Sequence, residues 1–196
     1  MNVLGLMSGT SMDGLDCCLA EIVLDNNYNF VYKILNSKCY DFSLKTRSII
    51  HDYIFYNKYS INYIDNYLGE LFSKYCIKFL KNNKVDLIAL HGQTVKHIDG
   101  ECSIQIGNPK IMNNNLNLPI VYNFRNADIL NGGNGAPLVP FLDWLLFSKV
   151  TKEILTLNIG GISNITYIPL DPNGNFEQPW PDGFFPEKTN IILNKD

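Results

Sequence analysis

Residues Leu4–Asp16 read Leu-Gly-Leu-Met-Ser-Gly-Thr-Ser-Met-Asp-Gly-Leu-Asp. An apolar strand breaks into Gly, Ser and Thr, then resumes through Asp16-Cys17-Cys18-Leu19-Ala20. The chain must therefore begin as two strands joined by small residues. Gly9 and Gly14 allow positive φ and close backbone approach, so the turn can offer N–H groups to phosphate. Ser8, Thr10 and Ser11 add hydroxyls, and Asp13 and Asp16 are within reach of a hydrated Mg2+. The competing reading is a polar hairpin tip without a ligand, because Gly/Ser turns are common.

Hydrophobic patterning predicts the elements along the rest of the chain. Strands are expected at Val3–Met7, Asp16–Leu24 and Phe30–Tyr40, with short connections that make them antiparallel. A helix is expected over Leu44–Tyr56. A second starts at the N-cap Ser60 and carries Ile61, Ile64, Leu68, Leu71, Phe72, Tyr75 and Phe79 at helical spacing, a core stripe. The apolar run Val85–Leu90 reads as a buried strand delivering His91-Gly92-Gln93-Thr94 at its carboxyl end, where α/β sheets gather ligands. Ser103–Ile106 and Ile120–Phe124 read as short strands, with Asn113-Asn114-Asn115 a surface turn between them. Gly132–Pro137 is a flexible turn before a helix over Pro137–Ser148. A second strand–glycine loop–strand unit, Ile154–Ile168 around Gly160-Gly161, echoes the first. Two such units suggest two lobes with a phosphate clamp between them, divided as residues 1–130 and 131–196.

Composition narrows the class. An apolar share of 46% in 196 residues supplies a core, and a net charge of −3 without a basic run argues against nucleic acid as partner. Five scattered cysteines without a CxxC pair fit a reducing cytosol better than a disulfide framework or a zinc site. No stretch has the ~18 apolar residues of a membrane span, and Met1–Leu4 lacks the pattern of a signal peptide.

Five ordered stretches resemble the anhydro-N-acetylmuramic acid kinase family of the actin-like, hsp70-like and sugar-kinase superfamily. They are GLMSGTSMDGLD (Gly5–Asp16), HGQTVKH (His91–His97), SIQIGNP (Ser103–Pro109), FRNADILNGGNGAPLVP (Phe124–Pro140) and LNIGGISN (Leu157–Asn164). The resemblance implies an α/β, actin-like ATPase (ribonuclease H-like) fold with a complete first lobe and the beginning of a second. It implies that Gly9, Thr10, Ser11, Met12, Asp13, Gly14, Leu15 and Asp16 form the ATP phosphate hairpin, faced by Gly160 and Gly161. Asp13 and Asp16 would hold Mg2+ directly or through water, and Gln93, Thr94, Arg125 and Asp128 would belong to the sugar cleft. Family members open the anhydro bridge of 1,6-anhydro-N-acetylmuramic acid with water and phosphorylate the freed O6 from ATP, in cell-wall recycling. A homodimer is also a family precedent, and the cysteine usage points to a cytoplasmic location.

The residues themselves allow plainer roles. Arg125 and Asp128 are spaced for a local ion pair, although the Arg125 fork also suits the lactyl carboxylate of a muramic sugar. His91 reads as a satisfied strand-end histidine, Gln93 and Thr94 as strand-end caps, and Asn158 and Asn164 as turn residues. One departure is sharp. Where the family has Gly-Phe-Asp-Thr-Gly-Pro-Gly-Asn with an Asp general base, this chain has Gly183-Phe184-Phe185-Pro186-Glu187, so Phe185 stands at the base position and no catalytic residue is assigned. Asn123 stands where the family carries Asp. A catalytically inactive, truncated or frameshifted remnant, or a nucleotide- or sugar-binding module, is therefore the alternative expectation.

Overall fold

The computed structural model describes residues 1–24, 30–81, 83–147, 150, 152–159, 163–169 and 190–192. Strand β1 (Asn2–Ser8) pairs antiparallel with β2 (Gly14–Leu24), and β2 with β3 (Phe30–Asp41). Alternation along the strands turns Leu4, Leu6, Leu15, Cys17 and Leu19 into one buried face. Helices α1 (Leu44–Tyr56) and α2 (Ile61–Leu80) begin at Ser43 and Ser60, whose hydroxyls accept from Thr46 N–H and Tyr63 N–H. The α2 stripe packs as its spacing requires, with Ile64, Leu68, Phe72 and Cys76 fully buried. Truncating any of the three larger ones to Ala would cost about 2–5 kcal/mol.

The next strand, β4 (Leu87–Ile98), runs well past the expected end at Leu90. Its first half lies parallel to β1 and to β6 (Ile120–Tyr122), and its second half pairs antiparallel with β5 (Cys102–Ile106). His91–Thr94 thus sit inside a strand that exchanges partners, not at a strand end. The sheet order is β3-β2-β1-β4-β6-β9, where β9 (Asn190–Ile192) pairs antiparallel with β6 and β5 branches from β4. The result is a mixed α/β domain around a central mixed sheet.

Two short helices replace expected irregular or extended chain. Asn113-Asn114-Asn115 lie within α3 (Pro109–Leu116), not in a surface turn. The side chain of Asn108 caps that helix by accepting from Lys110 and Ile111 N–H, Pro109 sits at its start, and Met112 is fully buried. The strand read as ending at Phe124 stops at Tyr122, and α4 (Phe124–Leu130) comes next. Asn123 joins them at φ 66°, a left-handed conformation that Asn tolerates better than most residues. Helix α5 (Val139–Phe147) packs against a separate two-stranded sheet of β7 (Ile154–Ile159) and β8 (Ser163–Ile168). One face of that sheet contributes buried Ile168 and the Thr156 hydroxyl, which donates to Asp143 Oδ2 at 2.6 Å. On the other, Leu155, Leu157, Ile159, Ile165 and Tyr167 are exposed.

Candidate functional site

The hairpin tip is built by backbone economy. Met12 N–H donates to Gly9 O at 3.1 Å, closing the turn. The left-handed residue is Met12 (φ 56°), not Gly9 or Gly14 as the glycine pattern suggests. Gly14 is needed for space instead, since a Cβ there would lie 2.7 Å from Tyr40 O. The N–H groups of Thr10 and Ser11 have no partner among the described residues, and both side chains are exposed. The Ser11 hydroxyl donates to Asp13 Oδ1 at 2.8 Å, while Asp13 O accepts from Phe42 N–H and Arg47 Nη2, fixing the turn to the start of α1. The Leu15 side chain is fully buried in the core.

Asp13 and Asp16 are exposed and make no ion pair among the described residues. Among the described residues, no group of three His, Cys, Asp or Glu side chains is arranged to hold a metal. Two hard carboxylates beside unpartnered N–H groups fit a Mg2+ that keeps water and phosphate oxygens in most of its shell, and do not fit an all-protein cage. Across the β2–β3 ladder, Asp16 faces Cys39. Desolvation, a hydrogen bond to Asp16 and the neighbouring carboxylates push the Cys39 thiol up to about 11, so it stays protonated.

Gln93 lies behind the hairpin, fully buried. Its Nε2 donates to Gly9 O at 3.0 Å and Thr94 O at 3.1 Å, while its Oε1 lies 2.7 Å from the Ser8 hydroxyl. That hydroxyl also lies 2.9 Å from Gly14 O and has one proton to give to either acceptor. Both ends of the Gln93 amide thus hold the hairpin. Thr94 Oγ1 accepts from Gln105 Nε2 at 3.3 Å across the β4–β5 pair.

His91 is the extra residue of a β-bulge. Leu6 pairs with Leu90 and Met7 with Gly92, leaving His91 unmatched opposite β1. Gly92 takes φ 76°, and a Cβ there would lie 2.9 Å from Ile106 O. The bulge turns His91 toward α4, where its Nε2 accepts from Arg125 Nε at 2.9 Å. Because Arg125 can only donate, His91 carries its proton on Nδ1 and donates to Gly92 O at 2.8 Å. Burial, then the Arg125 charge, lower the His91 pKa against the opposing pull of the Gly92 carbonyl. Arg125 and Asp128 do not form the local ion pair their spacing allows. Arg125 Nη1 donates to Gly135 O at 2.8 Å and Asp128 Oδ2 accepts from Gly135 N–H at 2.7 Å, so the two grip one residue from both sides. A Cβ at Gly133 would collide with the same Asp128 carboxylate.

A cavity of about 250 Å3 opens beside this cluster, lined by Asp65, His91, Gln105, Gly107, Tyr122 and Asn123 among others. Asp65 Oδ1 accepts from Gly107 N–H at 2.8 Å, and burial raises its carboxyl pKa more than that bond lowers it. Asp65, Gln105 and Tyr122 are missed by the candidate assignments from sequence. Of these, only Gln105 lies in a stretch singled out from sequence, SIQIGNP. Gly160, Gly161 and Phe185 lie outside the described residues.

Residues 1–178 match the family model described as anhydro-N-acetylmuramic acid kinase. The chain is 39% identical over 188 residues to an anhydro-N-acetylmuramic acid kinase of Clostridioides difficile (strain 630), covering 88% of this chain and 49% of that relative. It is 38% identical over 179 residues to one of Pelagibacter ubique (strain HTCC1062), covering 84% and 47%. A relative of the same name in Microcystis aeruginosa (strain NIES-843 / IAM M-2473) is 36% identical over 187 residues, covering 91% and 49%. The chain spans about half the length of these curated relatives.

Proposed function

We propose a function from one premise: the chain belongs to the anhydro-N-acetylmuramic acid kinase family. The reading is ATP-dependent phosphorylation of O6 of 1,6-anhydro-N-acetylmuramic acid, coupled to opening of its anhydro bridge and giving N-acetylmuramic acid 6-phosphate. The observation that carries it is the parallel pairing of β1 with β4, with Ser8 opposite Gln93. That pairing brings a turn whose Thr10 and Ser11 N–H groups have no partner among the described residues against a strand whose His91 and Gly92 line a polar cavity.

Thr10 and Ser11 N–H groups would hold phosphate oxygens, with Asp13 or Asp16 holding Mg2+ directly or through water. ATP supplies the phosphoryl group, and Mg2+ neutralises charge on it. Arg125 would receive the lactyl carboxylate, and Thr94 and Asp128 would lie along the same sugar cleft. The antiparallel β3-β2-β1 run joined to parallel β4 and β6 supports an actin-like, ribonuclease H-like first lobe over residues 1–130. Residues 131–196 would begin the second lobe, with Gly160 and Gly161 as its phosphate turn. A cytoplasmic setting and homodimerisation belong to the same proposal. Among the described residues no helix is long and apolar enough to cross a membrane.

Phe185 favours a second reading, a non-catalytic nucleotide- or sugar-binding module, because a phenyl ring accepts no proton where the resemblance places the general base. An ADP-release assay with MgATP and the anhydrosugar separates the two, run alongside binding titrations of each ligand. Sugar-dependent ADP release supports the kinase. Binding without turnover supports the module. A folded sample that binds neither ligand overturns both.

A further inference from the structure

Arg125 has five N–H donors in a rigid fork. His91 Nε2 occupies the Nε–H and Gly135 O occupies an Nη1–H, and among the described residues the rest of the fork is left for a ligand. A long side chain held at two points loses little further freedom when an anion docks. We infer that His91 is the positioning residue that aims Arg125 at a carboxylate, and that the proton state of His91 decides whether that aim is kept. The identity of the carboxylate, the lactyl group, rests on the function proposed above.

The contacts dictate the chemistry of the switch. Neutral His91 offers one acceptor, and Arg125 uses it. A proton on Nε2 removes that acceptor, sets N–H against N–H and places two positive charges side by side. Among the described residues, the other titratable groups that line the same cavity are Asp65 from α2 and Tyr122 from β6, and neither bonds to the imidazole. Arg125 is the charge in direct contact, and it opposes protonation. Arg125 is therefore released only as pH falls below the ordinary histidine range, and carboxylate affinity falls with it.

Two measurements test this. In the first, side-chain 15N shifts of His91 are recorded across pH. The wild type is expected to show the Nδ1–H tautomer at neutral pH and a midpoint below 6.5, and Arg125→Gln should raise that midpoint. An unchanged midpoint overturns the pairing, whatever the protein binds. In the second, titrations compare 1,6-anhydro-N-acetylmuramic acid with 1,6-anhydro-N-acetylglucosamine, which lacks the lactyl carboxylate. His91→Ala should weaken the first sugar about ten-fold more than the second at pH 7.5, the loss of one charge-assisted hydrogen bond. His91→Gln keeps an acceptor and cannot gain a proton. It should stay within about two-fold of wild type and lose the acid-side drop in affinity. Equal losses for both sugars, or a wild-type affinity that rises in acid, overturn the inference. If His91→Ala does not fold, the pH profiles of wild type and His91→Gln decide. If neither sugar binds, the functional reading and the anion role both fail, while the pairing is judged by the 15N shifts.

Discussion

The Ser8 hydroxyl and the Gln93 amide, 85 residues apart in sequence, meet at 2.7 Å behind the glycine turn. Both side chains are fully buried. The contact joins the end of β1 to the middle of β4 and holds the hairpin from the core side. Replacing Gln93 by Leu removes every partner of that amide at once, leaving Gly9 O and Thr94 O without it. The expected cost is about 3 kcal/mol of stability. Urea denaturation measures this, and nucleotide affinity should fall in the folded fraction. A midpoint equal to wild type would show that the hairpin stands without Gln93.

Gly92→Ala should be more damaging than its size suggests. The residue sits at φ 76°, and a methyl group would press on the Ile106 carbonyl in β5. The combined strain is expected to be about 1–3 kcal/mol. Thermal melts of Gly92→Ala beside Gly100→Ala give the comparison, because Gly100 is also left-handed (φ 69°) but has no atom closer than 3.7 Å to such a methyl group. Equal losses would assign the whole effect to φ.

Asp65 makes a pH prediction with a definite sign. Burial raises its folded-state pKa above the ordinary 3.8. A carboxyl with a raised folded pKa favours the native state below its unfolded pKa, and that contribution is lost as pH rises through the folded value. Asp65→Asn retains an oxygen for Gly107 N–H and removes the titration. The variant should therefore gain stability relative to wild type as pH climbs from about 3.8 toward neutrality, then level off. Denaturation midpoints at several pH values check this, and a gain confined to acid would contradict it.

The exposed apolar face of β7 and β8 should drive self-association. Leu157 and Ile165 face each other across that pair and are 56% and 65% exposed. Substituting both by Lys should reduce concentration-dependent association in sedimentation velocity, at a stability change within about 0.5 kcal/mol per site. Unchanged association would place the sticky surface elsewhere.

Local chemistry makes part of this molecule legible from sequence. The opening hairpin shows in its apolar–small–apolar pattern, and α2 in its Ser60 cap and stripe. Helix α3 is hidden because three consecutive Asn residues resemble a turn; the Asn108-Pro109 cap, the buried Met112 and the partly buried Leu116 make the helix. Gln93 and Thr94 look alike in sequence, two polar residues after a buried run. Only the register of β4 against β1 and β5 decides that one goes inward to the hairpin and the other to Gln105. Likewise, the spacing of Arg125 and Asp128 suggests that they meet each other, and cannot reveal that both turn to Gly135.

The bulge at His91 has a consequence for how this stretch can change. Side chains alternate across a strand, so residues an odd number apart point to opposite faces. Leu90 and Gln93 are three apart, yet both are buried, 2% and 0% exposed. The unmatched residue between them resets the parity for the remainder of β4. Inserting or deleting one residue there would send Gln93 outward, unseat the hairpin and carry the imidazole away from its arginine. The stretch from Leu90 to Gln93 can therefore exchange letters far more readily than it can change its length.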